Sequence, residues 1–135
     1  MQTRREAQGD TLVLTRDRRP VNAVDLPAVE ALEAVFREIA AAPPAGGLVL
    51  TGAGAAFSAG VDTKAYADYD AAARAALFVA ITRMVAVLYA LPCPVVAAIN
   101  GHAMGAGFCV ALACDARVAA KPALMAVNFV RLGIH

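Results

Sequence analysis

Two stretches of the sequence suit close approach of a ligand to the main chain. Thr51-Gly52-Ala53-Gly54-Ala55-Ala56-Phe57-Ser58-Ala59-Gly60-Val61-Asp62 is one, and Asn100-Gly101-His102-Ala103-Met104-Gly105-Ala106-Gly107 is the other. Each is rich in glycine and alanine, follows a short apolar segment and leads into a helical one. Small side chains let a ligand oxygen reach the backbone. Loops of this kind can aim N–H groups at one point, and a helix start adds the positive end of its dipole. Two converging N–H groups form an oxyanion hole, which stabilises charge developing on a carbonyl oxygen. Glycine turns after strands are usually only turns, so the loops by themselves leave both readings open.

The elements around these loops are those of a parallel sheet. Thr11-Leu12-Val13-Leu14-Thr15 alternates and is β-branched, which predicts a strand, followed by a polar loop over 16–20. Val29, Leu32, Val35, Phe36 and Ile39 recur at helical spacing within 26–42, with Pro27 placed for a first turn. Pro43-Pro44 ends that helix, Gly46-Gly47 turns the chain, and Leu48-Val49-Leu50-Thr51 predicts a strand buried on both faces. Strand, helix and strand make a βαβ unit, so the first loop lies at the carboxyl end of a strand. Ligands of open α/β sheets bind there. A long helix is expected over 71–91, with Leu77, Ile81, Val85 and Leu88 on one face. Pro94 to Ile99 predicts a buried strand, Phe108 to Cys114 an uncharged and therefore central helix, and Ala116 to Ala119 a further strand. The sequence shows no internal repeat and no low-complexity linker.

Composition narrows the class. Of 135 residues 60% are hydrophobic and 17% charged, and 34 are alanine, which excludes disorder. Met84 to Cys114 carries no Asp, Glu, Lys or Arg, yet Pro92, Pro94, Asn100 and Gly101 interrupt it, so it is not expected to span a membrane. The first residues lack an apolar signal region, and a cytoplasmic protein is the expectation. A net charge of +1, from 12 basic and 11 acidic side chains, offers no basic face for nucleic acid, although isolated arginines remain available to one anionic ligand. Cys93, Cys109 and Cys114 form no C-x-x-C and fit free thiols in a reducing compartment. His102 and His135 have no clustered ligands around them, so no metal site is expected.

The first loop, through Thr51-Gly52-Ala53-Gly54 and Phe57-Ser58-Ala59-Gly60-Val61-Asp62, resembles the first signature of the crotonase (enoyl-CoA hydratase/isomerase) superfamily. Pro92 through Gly107 resembles the second. Ala111-Leu112-Ala113-Cys114-Asp115 and Arg131-Leu132-Gly133-Ile134 continue the match in order, and Arg19-Pro20 with Asn22-Ala23 looks like the family's approach to its first helix. The resemblance covers nearly the whole chain. It implies an α/β fold, the crotonase-like β-β-α spiral (ClpP/crotonase fold). Residues 1–135 would be the N-terminal portion of a single acyl-CoA-binding domain, cut before the C-terminal helices. It also implies a bound acyl-CoA thioester whose enolate is held in an oxyanion hole, with N–H groups from Val61 and Ala106. Ala106 stands where the family usually has glycine, so the hole requires backbone angles that tolerate a Cβ. Val61-Asp62-Thr63-Lys64 would line the coenzyme A pocket. Coenzyme A belongs to the substrate and no other cofactor is implied. The full-length family members build homotrimers or hexamers.

Departures from the family pattern shape the expected chemistry. Hydratases of the family hold water with two glutamates, and Cys109 and Phe129 occupy those places here. Neither is a carboxylate base, and an apolar helix should keep Cys109 protonated. The expectation is therefore double-bond isomerisation rather than hydration, with an inert acyl-CoA-binding or assembly subunit as the alternative. Asp62, Asp68 and Asp70 border the pocket as substitute bases, though such aspartates are more often simply solvated; a carboxylate just past Ile134 is the other source. His102 is expected to be structural, and Asn100 to hydrogen-bond the backbone of its turn. A chain ending at His135 is expected to leave apolar faces exposed.

Overall fold

The computed structural model describes residues 2–132, and of Arg131 and Leu132 the backbone alone. Strands β1 (Gln2–Gln8) and β2 (Thr11–Asp17) form an antiparallel hairpin around Gly9, whose φ of 60° is left-handed. β1 was not expected. Its side chains are polar and mostly exposed, so it has no apolar alternation, and the tight turn holds it to β2. β2 runs to Asp17, so Arg16 belongs to the strand and not to a polar loop, and it is only 1% exposed.

Helix α1 (Leu26–Ala41) crosses from β2 to β3 (Leu48–Gly52), which pairs parallel to β2 with Leu12 opposite Leu48 and Arg16 opposite Gly52. Asp25 caps α1 by accepting from Ala28 N at 3.0 Å, and Pro27 sits in the first turn as expected. The chain then repeats one plan. β3 is followed by the short β4 (Ala56–Ser58), then by α2 (Thr63–Asp68) and α3 (Ala71–Tyr89). β5 (Val95–Ile99) is followed by β6 (His102–Met104) and α4 (Ala106–Leu112). β7 (Ala116–Ala119) is followed by β8 (Met125–Ala126) and a 3-10 turn, Phe129–Leu132. The longer strands stack in one sheet, in the order β1-β2-β3-β5-β7, and the short ones in a second, β4-β6-β8. This is the β-β-α spiral. The repeat is one of geometry, which is why no repeat shows in the residues.

The core lies between the sheets and the helices, with Leu14, Leu32, Phe36, Leu50, Phe57, Leu77, Met84, Leu88 and Ile99 buried. Glu33, buried on α1, accepts from Arg37 of the same helix at 2.8 Å and from Arg83 of α3 at 2.6 Å, and so ties the two helices. α3 is long and apolar enough to cross a membrane by length and composition alone, but its Leu77, Ile81, Met84 and Leu88 are buried in this core.

Two burial expectations need correction. β3 and β5 fully bury only alternate residues, with Val49, Thr51, Val96 and Ala98 half-buried, so each is covered on one face. α4 begins at Ala106, earlier than expected, and buries Ala106, Gly107, Val110 and Ala111, while Leu112 is exposed. It is a one-sided helix, not a central one. Several apolar side chains lie on the surface, among them Val79, Tyr89, Val118 and Val130.

Candidate active site

The first loop is held by the segment between β2 and α1. Asn22 is 1% exposed and has a φ of 53°. Its Nδ2 donates to Ala53 O at 2.9 Å and Ala56 O at 2.8 Å, and its Oδ1 accepts from Arg18 N at 2.8 Å. Ser58 Oγ donates to Asn22 O at 2.7 Å and accepts from Gly60 N at 3.2 Å. Arg16 grips the same loop from inside. Its Nη2 donates to Phe57 O at 2.6 Å and its guanidinium stacks 4.4 Å from the Phe57 ring centre. Burial lowers its pKa to about 10, so it stays charged at neutral pH. Its Nε has no hydrogen-bond partner among the described residues.

Asn100, expected to brace its own turn, braces the first loop instead. It accepts from Gly52 N at 3.1 Å and donates to Gly54 O at 3.0 Å. The two loops meet again through β4 and β6, where Ser58 pairs with Ala103.

They also come into close contact at Gly60, which has a φ of 83°. A Cβ built there would lie 2.5 Å from Met104 O and 3.3 Å from Ala106 N. Val61 is the next residue. Val24 N donates to Gly60 O and Asp62 N donates to Val24 O, both at 2.8 Å, so Val61 is fixed from either side. Its own N–H has no acceptor among the described residues, and neither has that of Ala106. The left-handed conformation in the second loop falls on Gly105, at φ 50°, and not on Ala106. Ala106 therefore carries its Cβ inside a normal helical turn, which answers the conformational question raised by its replacing glycine. Two free N–H groups at such a contact can polarise a carbonyl oxygen.

Beside Val61 lies a cavity of about 440 Å³ whose lining includes Arg18, Arg19, Pro20, Asp62, Thr63 and Lys64. Thr63 and Lys64 are exposed, as is the side chain of Arg19. Arg18 and Pro20 lining the cavity was not expected. The only hint in the sequence was a basic pair beside the start of a helix. Asp62 caps α2, accepting from Lys64 N at 3.1 Å and Ala65 N at 3.2 Å, and it pairs with Arg18 at 3.1 Å. The Ala65 N–H, and after it Arg18, outweigh partial burial and hold its carboxyl below the usual range. Asp70 caps α3 by accepting from Ala73 N at 2.7 Å, and Asp68 is exposed. Two of the three candidate bases are thus helix caps.

Cys109 and Phe129, the two places where the resemblance implies glutamates, both lie near Gly105. Cys109 N donates to Gly105 O at 3.0 Å, and the Phe129 ring comes 3.4 Å from where a Gly105 Cβ would be. The Cys109 thiol lines an apolar groove between α3 and α4 with Val85, Tyr89 and Leu112, and burial pushes its pKa up. Burial likewise raises Cys93, and Cys114 to about 11, so the three thiols are protonated at neutral pH. His102 is structural as expected, its Nδ1 accepting from Leu124 N at 3.1 Å. Gly133, Ile134 and His135 lie outside the described residues, as does the Arg131 side chain.

The enoyl-CoA hydratase/isomerase family model matches residues 6–135. The carnitinyl-CoA dehydratase of Escherichia coli (strain K12) is 38% identical over 130 residues, 93% of this chain and 48% of that protein. The solved enoyl-CoA hydratase of Bacillus anthracis superposes with a TM-score of 0.92 at 31% identity, covering 98% of this chain and 52% of that one. Pseudomonas aeruginosa DspI does so with a TM-score of 0.92 at 32% identity, covering 98% and 51%. The chain spans about half the length of these relatives, and its α/β architecture is the crotonase fold. With a family match over all but the first five residues, and the same fold in relatives above 30% identity, the chain belongs to the enoyl-CoA hydratase/isomerase family.

Proposed function

We propose that this chain is the N-terminal portion of a single acyl-CoA-binding domain whose Val61 and Ala106 N–H groups polarise the thioester carbonyl and stabilise its enolate. The observation that carries this reading is the contact of the two loops at Gly60, with both N–H groups left unbonded beside it. Coenzyme A lies in the cavity walled by Val61, Asp62, Thr63 and Lys64, with cationic side chains near its phosphates. The apolar groove beside Cys109 suits the acyl chain. No cofactor other than the substrate's own coenzyme A is needed. The full-length protein works in the cytoplasm as a homotrimer or hexamer.

Double-bond isomerisation is preferred to hydration, because Cys109 and Phe129 stand where the hydratases hold water with glutamates. The proton carrier is then a group other than residues 109 and 129. The test offers crotonyl-CoA, carnitinyl-CoA and a 3-enoyl-CoA to the full-length protein. Conversion of the 3-enoyl thioester without hydration of crotonyl-CoA is expected, and brisk hydration would overturn the preference. The same replacements motivate a second reading, an acyl-CoA-binding or assembly subunit without turnover. Calorimetry with a non-hydrolysable acyl-CoA that shows binding, in a protein inert toward all three substrates, would favour it.

A further inference from the structure

Arg18 is placed to act on the proposed oxyanion hole without touching the substrate carbonyl. Its Nη1 donates to Ala23 O at 2.7 Å and to Asp62 Oδ2 at 3.1 Å, and its Nη2 donates to Asp25 Oδ2 at 2.7 Å. Its backbone is fixed as well, since Arg18 N donates to Asn22 Oδ1 and Arg18 O accepts from Asn22 N, both at 2.8 Å. Asp25 is the cap of α1 and Asp62 the cap of α2. One guanidinium therefore joins two helix starts that are 37 residues apart in sequence. Between them runs the Val24–Val61 bridge. Asp62 cannot shift without carrying its covalent neighbour Val61, and its side chain is held by Arg18 on one side and by the α2 N–H groups on the other.

A bridge of this kind needs the planar fork of arginine. Three acceptors in two directions are met by one rigid group, where a lysine ammonium would offer a point charge on a flexible stem. Both carboxylates and the guanidinium are about three-quarters buried, so the pairs are less screened than surface pairs.

We propose that Arg18 is a positioning residue, which sets the direction of the Val61 N–H by clamping Asp62 to Asp25. This rests on the proposed role of Val61. A competing role follows from the same place in the fold, because Arg18 also lines the cavity and could simply attract the phosphates of coenzyme A. The two roles separate by substrate. A positioning role acts on any thioester, whereas a phosphate contact is lost with a thioester of pantetheine, which has no nucleotide.

The test uses the full-length protein with cinnamoyl-CoA and cinnamoyl-pantetheine, whose conjugated absorption moves to the red as the thioester carbonyl is polarised. The wild type is expected to shift both probes. At saturation Arg18→Gln should lose most of the shift with both. Arg18→Lys should lose it too while keeping most of the affinity for the CoA probe. Asp62→Asn, which leaves every cation in place and can still cap α2, should reproduce the loss, and it carries the test if Arg18→Gln fails to fold. Full red shift in saturated Arg18→Gln or Asp62→Asn, with only weaker binding of the CoA probe, would overturn the proposal. A wild type that binds either probe without any red shift would instead remove the polarising role of Val61 and Ala106, and the clamp's purpose with it.

Discussion

Gly60 is where the proposed chemistry is most exposed to a small change. In Gly60→Ala the new methyl would start 2.5 Å from Met104 O, and real Cβ atoms keep at least 3.0 Å from such a neighbour. The two loops must part by at least half an ångström, because the obstacle is backbone and cannot swing aside. The residue would also hold a φ of 83°, which costs an L-residue about 1–2 kcal/mol. Added to an overpacking cost of about 1–3 kcal/mol, the expected loss of stability is about 2–5 kcal/mol. Misplacing a catalytic group by about 1 Å can cost about a hundredfold in rate, so half that displacement should cost about tenfold. Gly9→Ala is the control. Gly9 has a φ of 60° with nothing within 4 Å of its Cβ position, and it lies in the β1–β2 turn. It should lose only about 1–2 kcal/mol of stability and none of the polarisation. The assay is a thermal melt paired with the red shift of a saturating conjugated thioester on the full-length protein. If Gly60→Ala folds cooperatively and polarises the probe as the wild type does, the approach of the two loops is not what builds the site.

Three further perturbations test other parts of the structure. Asn22→Ala leaves Ala53 O, Ala56 O and Arg18 N without their buried partner and removes the amide that compensates for the positive φ. Chemical denaturation should show a loss of about 2–4 kcal/mol, and a loss under about 0.5 kcal/mol, the level of an unremarkable surface change, would contradict the bracing role. Glu33→Gln weakens the link from α1 to α3, and about 1–3 kcal/mol should be lost because the two arginines are half-exposed. Burial alone would raise the Glu33 pKa, but hydrogen bonds from Arg83 and then Arg37 hold it below the ordinary value. The contribution is thus complete above about pH 4.3 and is lost as pH falls through the lower folded value, so the gap between wild type and variant should close in acid; a gap constant down to pH 2 would refute this. Cys109→Glu combined with Phe129→Glu supplies carboxyl groups at the two proposed glutamate places and should raise crotonyl-CoA hydration in the full-length protein, while a folded double variant with no gain would count against a hydratase-like pocket.

What the sequence made legible was whatever depends on neighbours along the chain. Proline breakers, the helical spacing of Val29 to Ile39 and the apolar runs at Leu48 and Val95 located α1, β3 and β5 to within a residue or two. β4, β6 and β8 have three, three and two residues, too few to display a period of two, so nothing in the sequence sets them apart from loops. β1 is polar on both faces, so its strand character comes from pairing and not from burial. Asp62 and Asp70 read as candidate bases, yet each immediately precedes a helix. The capping preference of aspartate was the available signal for their actual role.

The candidate site was legible through the order of several motifs, and its support was not. Arg16 and Arg18 sit in a run of charge that reads as solvated loop, yet one stacks on Phe57 in the core and the other joins Asp25 to Asp62. Both contacts reach residues 41 and 44 positions away, and nothing local announces them. The same holds for Ala106. Its sequence neighbours could not say whether a Cβ would spoil the turn, because that depends on which residue takes the left-handed angle. Gly105 takes it, held by the bond from its N–H to Ala126 O at 2.8 Å, and Ala126 belongs to a strand too short to be foreseen. The tolerance of alanine at the proposed second oxyanion position is therefore a property of the β6–β8 pairing, and a change that frees Ala126 from Gly105 should disturb Ala106 before it disturbs Val61.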